Sequence, residues 1–229
     1  MSHENTVRFR DRADAGRQLA AQVAQRRFAN PIVLGLPRGG VPVAAAVAQT
    51  LGAPLDVIVV RKLGVPFAPE VAMGAIGEGG VGLVDGDLVD RLGIRCEDVD
   101  AVHRAENVVL AERSSRLRRL RPVLDLTGHT AIVVDDGIAT GATMAVACRV
   151  ARRRGATRVI AAAPVAADEV IRGLDEADEV VTVMRPLHFG AVGEYYDAFA
   201  ATPDDTVESL LVAGAGAATS PTTQTGAVP

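Results

Sequence analysis

A short apolar run that ends in two adjacent carboxylates constrains the fold of this chain more than any other stretch. Residues 131–134 read Ala-Ile-Val-Val, a pattern typical of a buried strand. Asp135 and Asp136 follow directly, and after a small loop residues 144–154, rich in Ala, Val and Arg, predict a helix. The stretch therefore predicts a strand, an acidic pair, a loop and a helix in immediate succession.

The loop between the acidic pair and the helix has the composition of a phosphate-binding turn. Small residues at a helix start leave backbone N–H groups unpaired and directed outward, with the helix dipole behind them. Threonine hydroxyls add donors, and glycine lacks the Cβ that would block close approach. We therefore expect this loop to bind a phosphate dianion; it consists of Ala139, Thr140, Gly141, Ala142 and Thr143.

The two carboxylates predict a different ligand from that of the loop. Asp135 and Asp136 repel a phosphate and suit neutral hydroxyls or a cation, such as the diol of a ribose whose 5-phosphate lies in the loop. An Asp-Asp-Gly turn and a Thr-Gly helix cap are ordinary features when each occurs alone. Their combination directly after a buried strand favours a sugar-phosphate site.

Two cationic segments follow other apolar runs. Arg38, Gly39 and Gly40 combine a guanidinium suited to phosphate oxygens with glycines that free backbone N–H groups for an anion. Arg61 and Lys62, the only lysine of the chain, oppose each other unless an anion lies between them or one points away. Both segments are therefore candidates for binding an anion. The alternative for the Arg38 segment is a tight turn with one solvent-facing arginine, and the alternative for Arg61 and Lys62 is a solvated basic corner.

The order of apolar runs and helical patterns predicts an α/β fold with a mostly parallel sheet and helices on both faces. In such sheets ligands bind beyond the carboxyl ends of the strands, where the segments above lie. The predicted strands are 32–36, 55–60, 131–135, 158–164 and 179–184, and the predicted helices are 14–28, 41–51, 97–120, 144–154 and 168–174.

Composition excludes several classes of partner. The net charge of −4 implies no general attraction to nucleic acid, and the arginines near the end of 97–120 have no aromatic neighbours, so a solvated face is expected there. No apolar stretch is long enough to span a bilayer, and the N-terminus lacks the apolar core of a signal peptide. Cys96 and Cys148 lie too far apart in sequence to suggest zinc or a disulfide framework. We expect a soluble cytoplasmic protein with no nucleic-acid or membrane partner.

Residues 133–143, Val-Val-Asp-Asp-Gly-Ile-Ala-Thr-Gly-Ala-Thr, resemble the phosphoribosyl-pyrophosphate (PRPP) motif of the type I phosphoribosyltransferases. The resemblance implies that the acidic pair holds the ribose diol and that the following loop holds the 5-phosphate. It also implies that the segment at Arg38 is the pyrophosphate loop and that Arg61 or Lys62 contacts the pyrophosphate. Under this resemblance the residues that support catalysis are Arg38, Lys62 and the two aspartates.

The family resemblance also implies a domain plan. Residues 1–211 would form a single domain, with a lid and helical insertion at about 61–125 and a small C-terminal hood. Residues 65–82, punctuated by Gly and Pro, predict a long mobile loop that covers PRPP. Residues 212–229 carry no charge and predict a flexible tail.

The sequence leaves two interpretations for the segment that would bind the acceptor. His188 and Phe189 lie in an aromatic-rich segment that could stack on a flat base or could close the core. Glu70 and His188 are candidates for a general base.

The implied reaction is transfer of phosphoribosyl from PRPP to a nitrogenous base or similar small acceptor, with release of pyrophosphate. Mg²⁺ would bind through the pyrophosphate and ribose hydroxyls, without a dedicated protein ligand. The alternative is a non-catalytic regulator that binds PRPP or a nucleotide. The family resemblance also makes a homodimer possible.

Overall fold

The computed structural model describes residues 8–216, which form a parallel sheet and a smaller antiparallel sheet. The strands are β1 (Pro31–Gly35), β2 (Leu55–Val57), β3 (Val60–Val65), β4 (Ala68–Gly77), β5 (Val81–Val84), β6 (Thr130–Val134), β7 (Arg158–Val165) and β8 (Glu179–Met184). The parallel sheet has the order β2-β1-β6-β7-β8, and β3, β4 and β5 pair antiparallel. The predicted parallel sheet is confirmed.

Helices connect and flank these strands. They are α1 (Arg12–Ala24), α2 (Gly40–Leu51), α3 (Gly86–Arg91), α4 (Cys96–Leu120), α5 (Ala142–Arg153), α6 (Asp168–Arg172) and α7 (Asp204–Gly216). Asp11 caps α1, because its carboxylate accepts from the N–H of Asp14 at 2.8 Å. Gly52 ends α2 in the left-handed region at φ 59°, which is why that helix stops where a glycine occurs.

The parallel sheet buries both of its faces, since successive side chains of a strand point to opposite sides. Val33 and Ile132 pack in the cluster that contains α1 and α2, whereas Leu34 and Val133 pack in the cluster that contains α5. Each fully buried Val, Leu or Ile side chain stabilises the fold by about 1.5–3 kcal/mol. Continuous apolar runs, rather than alternating ones, are therefore what this sheet requires.

The long loop predicted at 65–82 is wrong. Most of this segment is paired as β4 and β5, next to β3, and Gly74 and Gly77 serve close packing rather than loop flexibility. An ideal Cβ on Gly74 would lie 2.2 Å from the carbonyl oxygen of Leu83, and one on Gly77 would lie 2.8 Å from Val150 Cγ2. Only glycine permits the neighbouring strand and α5 to approach this closely.

The single strand predicted at 55–60 is also wrong, because the structure divides it between two sheets. β2 ends at Val57, and β3 begins at Val60 in the antiparallel sheet. At the crossing, Glu78 donates its backbone N–H to the carbonyl of Val59 at 3.2 Å. No glycine or proline lies between the two halves, so tertiary pairing decides where the first half ends.

Arg118 of α4 does not lie on the solvated face predicted for the arginines near the end of this helix. Arg118 has a side chain 14% exposed and donates to the fully buried Asp56 at 2.6 Å and to Glu78 at 2.8 Å. Arg154, after α5, donates to the other Asp56 oxygen at 2.8 Å. One buried carboxylate therefore joins α4, β2 and the end of α5, and it holds α4 on the domain.

The C-terminal helix extends beyond the predicted domain end. α7 continues to Gly216, so the first residues of the predicted tail 212–229 are helical, and residues 217–229 lie outside the described part of the chain. Gly214 packs on β2, where an ideal Cβ would lie 2.9 Å from that of Leu55. Among residues 8–216, no helix combines the length and apolar composition needed to cross a membrane.

Candidate functional site

The segment at Arg38 and the acidic pair Asp135-Asp136 meet at the carboxyl ends of β1 and β6. These strands are neighbours, with Gly35 opposite Val134. An ideal Cβ on Gly39 would lie 2.0 Å from Asp136 Oδ2, and one on Gly40 would lie 2.8 Å from the Cα of Asp135. The pair of glycines is therefore required by the closeness of the acidic pair. The peptide between Pro37 and Arg38 is cis.

This meeting point is the topological switch point of the sheet. From β1 the chain moves outward to β2, and it returns to the other side of β1 as β6. In open α/β sheets, ligands bind in the crevice that forms where the strand order reverses in this way. The segments that sequence analysis selected thus lie where the topology predicts a site.

Asp136 is held by a residue that sequence analysis missed. Arg12, the first residue of α1, donates through Nε to Asp136 Oδ2 at 2.7 Å, and both side chains are about 15% exposed or less. The same guanidinium donates to the carbonyl of Ala200 at 2.6 Å and lies 4.0 Å from the ring centre of Phe199. Tyr196 donates its hydroxyl to the backbone carbonyl of Asp136 at 2.6 Å.

Asp135 lies beside Asp136, where burial and the neighbouring carboxylate destabilise its negative charge. Its Oδ1 accepts from the backbone N–H of Asp136 at 2.9 Å. Burial, and then the neighbouring Asp136 charge, raise the pKa of Asp135 well above its usual value, although the N–H of Asp136 and the Arg12 guanidinium lower it. A hydroxyl donor or a cation placed here would offset this destabilisation.

The start of α5 is open in the way that a phosphate site requires. Gly141 precedes the helix at φ 80°, and no side chain of the described residues caps it. Ala139 and Thr140 are exposed, and Thr143 is partly buried. Thr140, Gly141 and Ala142 also border a cavity of about 450 Å³ that β4, β5 and α6 enclose on the other side.

Arg38 and Arg61 come together on a second cavity. They line a space of about 850 Å³ between the segment after β1, β3 and α4, and this lining shares no residue with the first cavity. Arg38 is exposed, and Arg61 pairs with Glu106 of α4 at 2.7 Å. Arg38 also directly precedes the two glycines that pack on Asp136 and Asp135.

Lys62 is not brought to this second cavity. Adjacent residues of a strand point to opposite faces, and the Lys62 ammonium donates instead to the carbonyl of Glu70 at 2.8 Å. Both residues are exposed on the hairpin of β3 and β4. The roles suggested for Lys62 and Glu70 stay predictions.

The aromatic segment packs against the acidic pair. An ideal Cβ on Gly137 would lie 2.4 Å from Val192 Cγ1, so the segment after β8 covers the turn that follows Asp136. Phe189 stacks on Tyr195 with ring centres 5.4 Å apart, and His188 is exposed with its carbonyl accepting from the Tyr195 hydroxyl at 3.1 Å. These contacts agree with core closure, and an acceptor role for His188 and Phe189 stays a prediction.

The donors at the site suit a metal held mainly by substrate. Within residues 8–216, no group of three or more His, Cys, Asp and Glu side chains could hold a metal ion. Mg²⁺ keeps several waters and is commonly bound by one or two carboxylates together with substrate phosphates. Mg²⁺ bound through the pyrophosphate and the ribose hydroxyls stays a prediction.

Arg12 and Tyr196 were missed because their contacts with Asp136 join residues that lie far apart in sequence. Arg12 meets Asp136 across 124 residues of chain, and nothing near Arg12 in sequence marks it out from other arginines. Tyr196 belongs to a segment that was selected, but its hydroxyl contact with Asp136 follows from the fold. Both could have been found only after β1, β6 and β8 were placed in one sheet.

Known proteins similar to this chain point to one family. The family described as phosphoribosyl transferase domain matches residues 61–198. Two relatives from Mycobacterium tuberculosis, MT0597 of strain CDC 1551 / Oshkosh and Rv0571c of strain H37Rv, are each named provisionally as a phosphoribosyl transferase. Each is 52% identical to this chain over 204 residues, which is 89% of this chain and 46% of theirs. The chain thus spans about half the length of these relatives. TT1426 from Thermus thermophilus, a crystal structure, is similar with a TM-score of 0.76 and 42% identity over 90% of this chain and 99% of that one.

Proposed function

Because the chain belongs to the phosphoribosyl transferase domain family, we propose that it transfers the phosphoribosyl group of PRPP to a nitrogenous base or similar small acceptor, releasing pyrophosphate. One observation carries the proposal. The glycines of the Arg38 segment pack on Asp135 and Asp136, and these lead directly into an uncapped helix start. A sugar phosphate needs these three parts side by side: donors for its phosphate, acceptors for its diol and cations for its leaving group.

In the proposed reaction, a nitrogen of the acceptor forms a bond to the anomeric carbon while the bond from that carbon to the pyrophosphate oxygen breaks. The electron pair of the broken bond leaves with pyrophosphate, and the acceptor nitrogen gives up its proton. No protein nucleophile is required. The transition state carries positive charge on the sugar ring, as in glycoside cleavage.

The chain's own residues act by positioning and by charge. The N–H groups and hydroxyls of loop 139–143 would anchor the 5-phosphate, and Asp135 and Asp136 would accept from the ribose hydroxyls. Arg12 orients Asp136 and lies beside its Oδ2. Arg38 would neutralise the departing pyrophosphate. Fixing the reacting carbon through a remote phosphate can contribute about 7–11 kcal/mol in well-oriented systems.

Mg²⁺ is part of this proposal. When bound through the pyrophosphate and the ribose hydroxyls, it would neutralise charge on the leaving group. Asp135 and Asp136 would accept hydrogen bonds from its bound waters. A homodimer and a cytoplasmic location stay predictions.

The experiment measures PRPP binding by calorimetry and pyrophosphate release over a panel of bases. The Thr140→Ala/Thr143→Ala double variant and Asp136→Asn should each weaken PRPP binding by about tenfold or more, because each removes hydrogen bonds to charged or hydroxyl groups. Thr50→Ala is the matched control, since Thr50 is exposed at the far end of α2.

Three outcomes are distinguishable. PRPP binding with acceptor-dependent pyrophosphate release supports the transferase. PRPP binding without turnover on any base contradicts it and favours the regulatory alternative. PRPP binding that is equally strong in the control and in the site variants removes the assignment of the site.

A further inference from the structure

The long helix α4 has one side that packs on the domain and another that faces water. Leu110 and Leu117 are its buried residues. On the opposite side, residues spaced three or four apart are exposed, and residues at this spacing share one face of a helix. This outer face of α4 consists of Glu97, Ala101, Arg104, Ala105, Val108, Ala111, Glu112, Ser115 and Arg119.

The charged residues of the outer face differ from the other charged residues of α4. Arginines that face the domain have carboxylate partners within the chain, such as Arg113 with Asp204 at 3.3 Å. Among residues 8–216, the charged groups of the outer face form one ion pair, a 3.7 Å contact between Arg95 and Glu97, whose side chain is 85% exposed. The folded domain therefore leaves the charges of this face free for a contact outside it.

The middle of the outer face is apolar. Val108 is 59% exposed, and Val109 at the edge of the face is 41% exposed. Ala105 and Ala111 lie three residues before and after Val108, and both are exposed. The charged residues lie farther from Val108, toward the two ends of the helix. An apolar centre with a polar rim is the composition of protein–protein interfaces.

The charges are arranged about Val108 so that a second copy of the helix complements them. Arg104 and Glu112 lie four residues before and after Val108, and Glu97 and Arg119 lie eleven residues before and after it. When two α4 helices pack antiparallel with Val108 against Val108, residues equally far from Val108 on its two sides come to the same level. Each arginine of the face is then level with a glutamate of the second copy.

The opposite orientation of the two helices is disfavoured by the same charges. In a parallel pair in register, each charged residue lies level with its own copy, so that arginine meets arginine and glutamate meets glutamate. Like charges placed together at an interface repel each other and select against that arrangement. An antiparallel pair is also compatible with a two-fold axis, in which one surface patch serves both copies.

We propose that the outer face of α4 is the surface through which two copies of this chain associate, as an antiparallel helix pair centred on Val108. The inference does not depend on the proposed function, because the reaction assigns no role to these residues. The alanines beside Val108 suit it, since packed helix axes lie about 8–10 Å apart and small side chains permit close approach. Glu112 and Arg119 also border the second cavity, so the second copy would lie along the α4 side of that cavity.

The experiment measures the mass of the full chain by sedimentation equilibrium over a series of concentrations at one ionic strength, because salt screens charge contacts. We expect a reversible monomer–dimer equilibrium. Arg104→Glu and Glu112→Arg should each weaken association about tenfold or more, since each replaces two attractive contacts by two repulsive ones. Arg27→Glu is the matched control, because Arg27 is exposed after α1 and the change in charge is the same.

Two combinations separate a lost contact from a folding defect. The double variant Arg104→Glu/Glu112→Arg should dimerise as the unaltered chain does, because both contacts are restored with their charges exchanged. An equimolar mixture of the two single variants should form a heterodimer, since opposite charges then meet at both contacts. Neither recovery is expected if the single substitutions merely damage the fold.

A third variant tests the centre of the interface. Val108→Asp places two carboxylates against each other and should leave the chain monomeric, with its circular dichroism unchanged. A chain that is monomeric at every concentration would overturn the proposal. A dimer that is equally stable in all variants would overturn it as well, because another surface would then hold the copies together. Weakened single variants without recovery in the double variant would contradict the antiparallel arrangement.

Discussion

Replacing Arg12 by Gln tests whether one side chain holds the acidic pair in place. The substitution removes the 2.7 Å contact with Asp136 Oδ2, the 2.6 Å contact with the carbonyl of Ala200 and the stacking on Phe199. Asp136, whose side chain is only 15% exposed, would then lack its guanidinium partner. The structure therefore predicts a loss of stability and a displaced carboxylate.

The magnitude follows from the burial of the pair. Removing one partner of a buried ion pair costs about 3–5 kcal/mol, and exposed pairs are worth about 0–1 kcal/mol. With side chains 13% and 15% exposed, the pair belongs near the lower end of the buried class. We expect Arg12→Gln to lower the free energy of unfolding by about 3 kcal/mol, which corresponds to roughly 6–12 °C in Tm for a domain of this size.

Urea unfolding followed by far-ultraviolet circular dichroism measures this change, since the chain has no tryptophan. Arg10→Gln is the control: Arg10 lies two positions earlier, is 75% exposed and pairs with Asp14 at the surface. It should lose less than about 1 kcal/mol. Equal losses in the two variants, or a double-mutant cycle with Asp136→Asn that shows no coupling, would refute the reasoning.

Three further predictions concern buried carboxylates and the glycine that packs on one of them. Asp56→Asn removes the carboxylate shared by Arg118 and Arg154, and should lower the free energy of unfolding by about 3 kcal/mol or more in urea titrations, whereas the surface variant Asp98→Asn should unfold at nearly the same urea concentration as the unaltered chain. Because the folded-state pKa of Asp135 is raised above its usual 3.8, its stabilising contribution is complete below pH 3.8 and is lost as pH rises through the raised value. Asp135→Asn should therefore unfold at higher urea than the unaltered chain at neutral pH, with the difference vanishing in acid, and an advantage that persists in acid would contradict this cause. Gly39→Ala places a methyl group where Asp136 Oδ2 lies and should cost about 1–3 kcal/mol by thermal unfolding, whereas Gly86→Ala meets no atom within 4 Å and serves as its control.

The parallel sheet could be predicted because each of its strands has a recognisable pattern in the local sequence. Residues 131–134 and the run before Arg38 are continuous apolar segments, each followed at once by small or charged residues. A strand buried on both faces needs apolar residues at successive positions, so a continuous apolar run predicts such a strand. The same locality made the loop 139–143 recognisable, since its role depends on residue types that are consecutive in sequence.

The antiparallel sheet could not be predicted for the opposite reason. Its glycines look like loop residues when only the neighbouring sequence is considered, yet Gly74 and Gly77 are required by atoms of Leu83 and Val150. The break between β2 and β3 has no local mark either, because pairing with β4 determines it. Composition at a position cannot distinguish a flexible glycine from one that permits close packing.

The residues of the site fall into two groups: those at strand ends could be predicted from the sequence, and those on helices could not. Parallel pairing of β1 with β6 brings the segments after both strands to one edge, so any two such segments must meet there whatever lies between them in sequence. Arg38, the glycine pair, Asp135 and Asp136 were therefore identifiable from strand ends alone. Arg12 reaches Asp136 from helix α1, whose buried face is set by packing against the finished sheet. Residues that bind through the backbone geometry of a strand end can be read from sequence, and residues that support them from a helix become visible only in the folded chain.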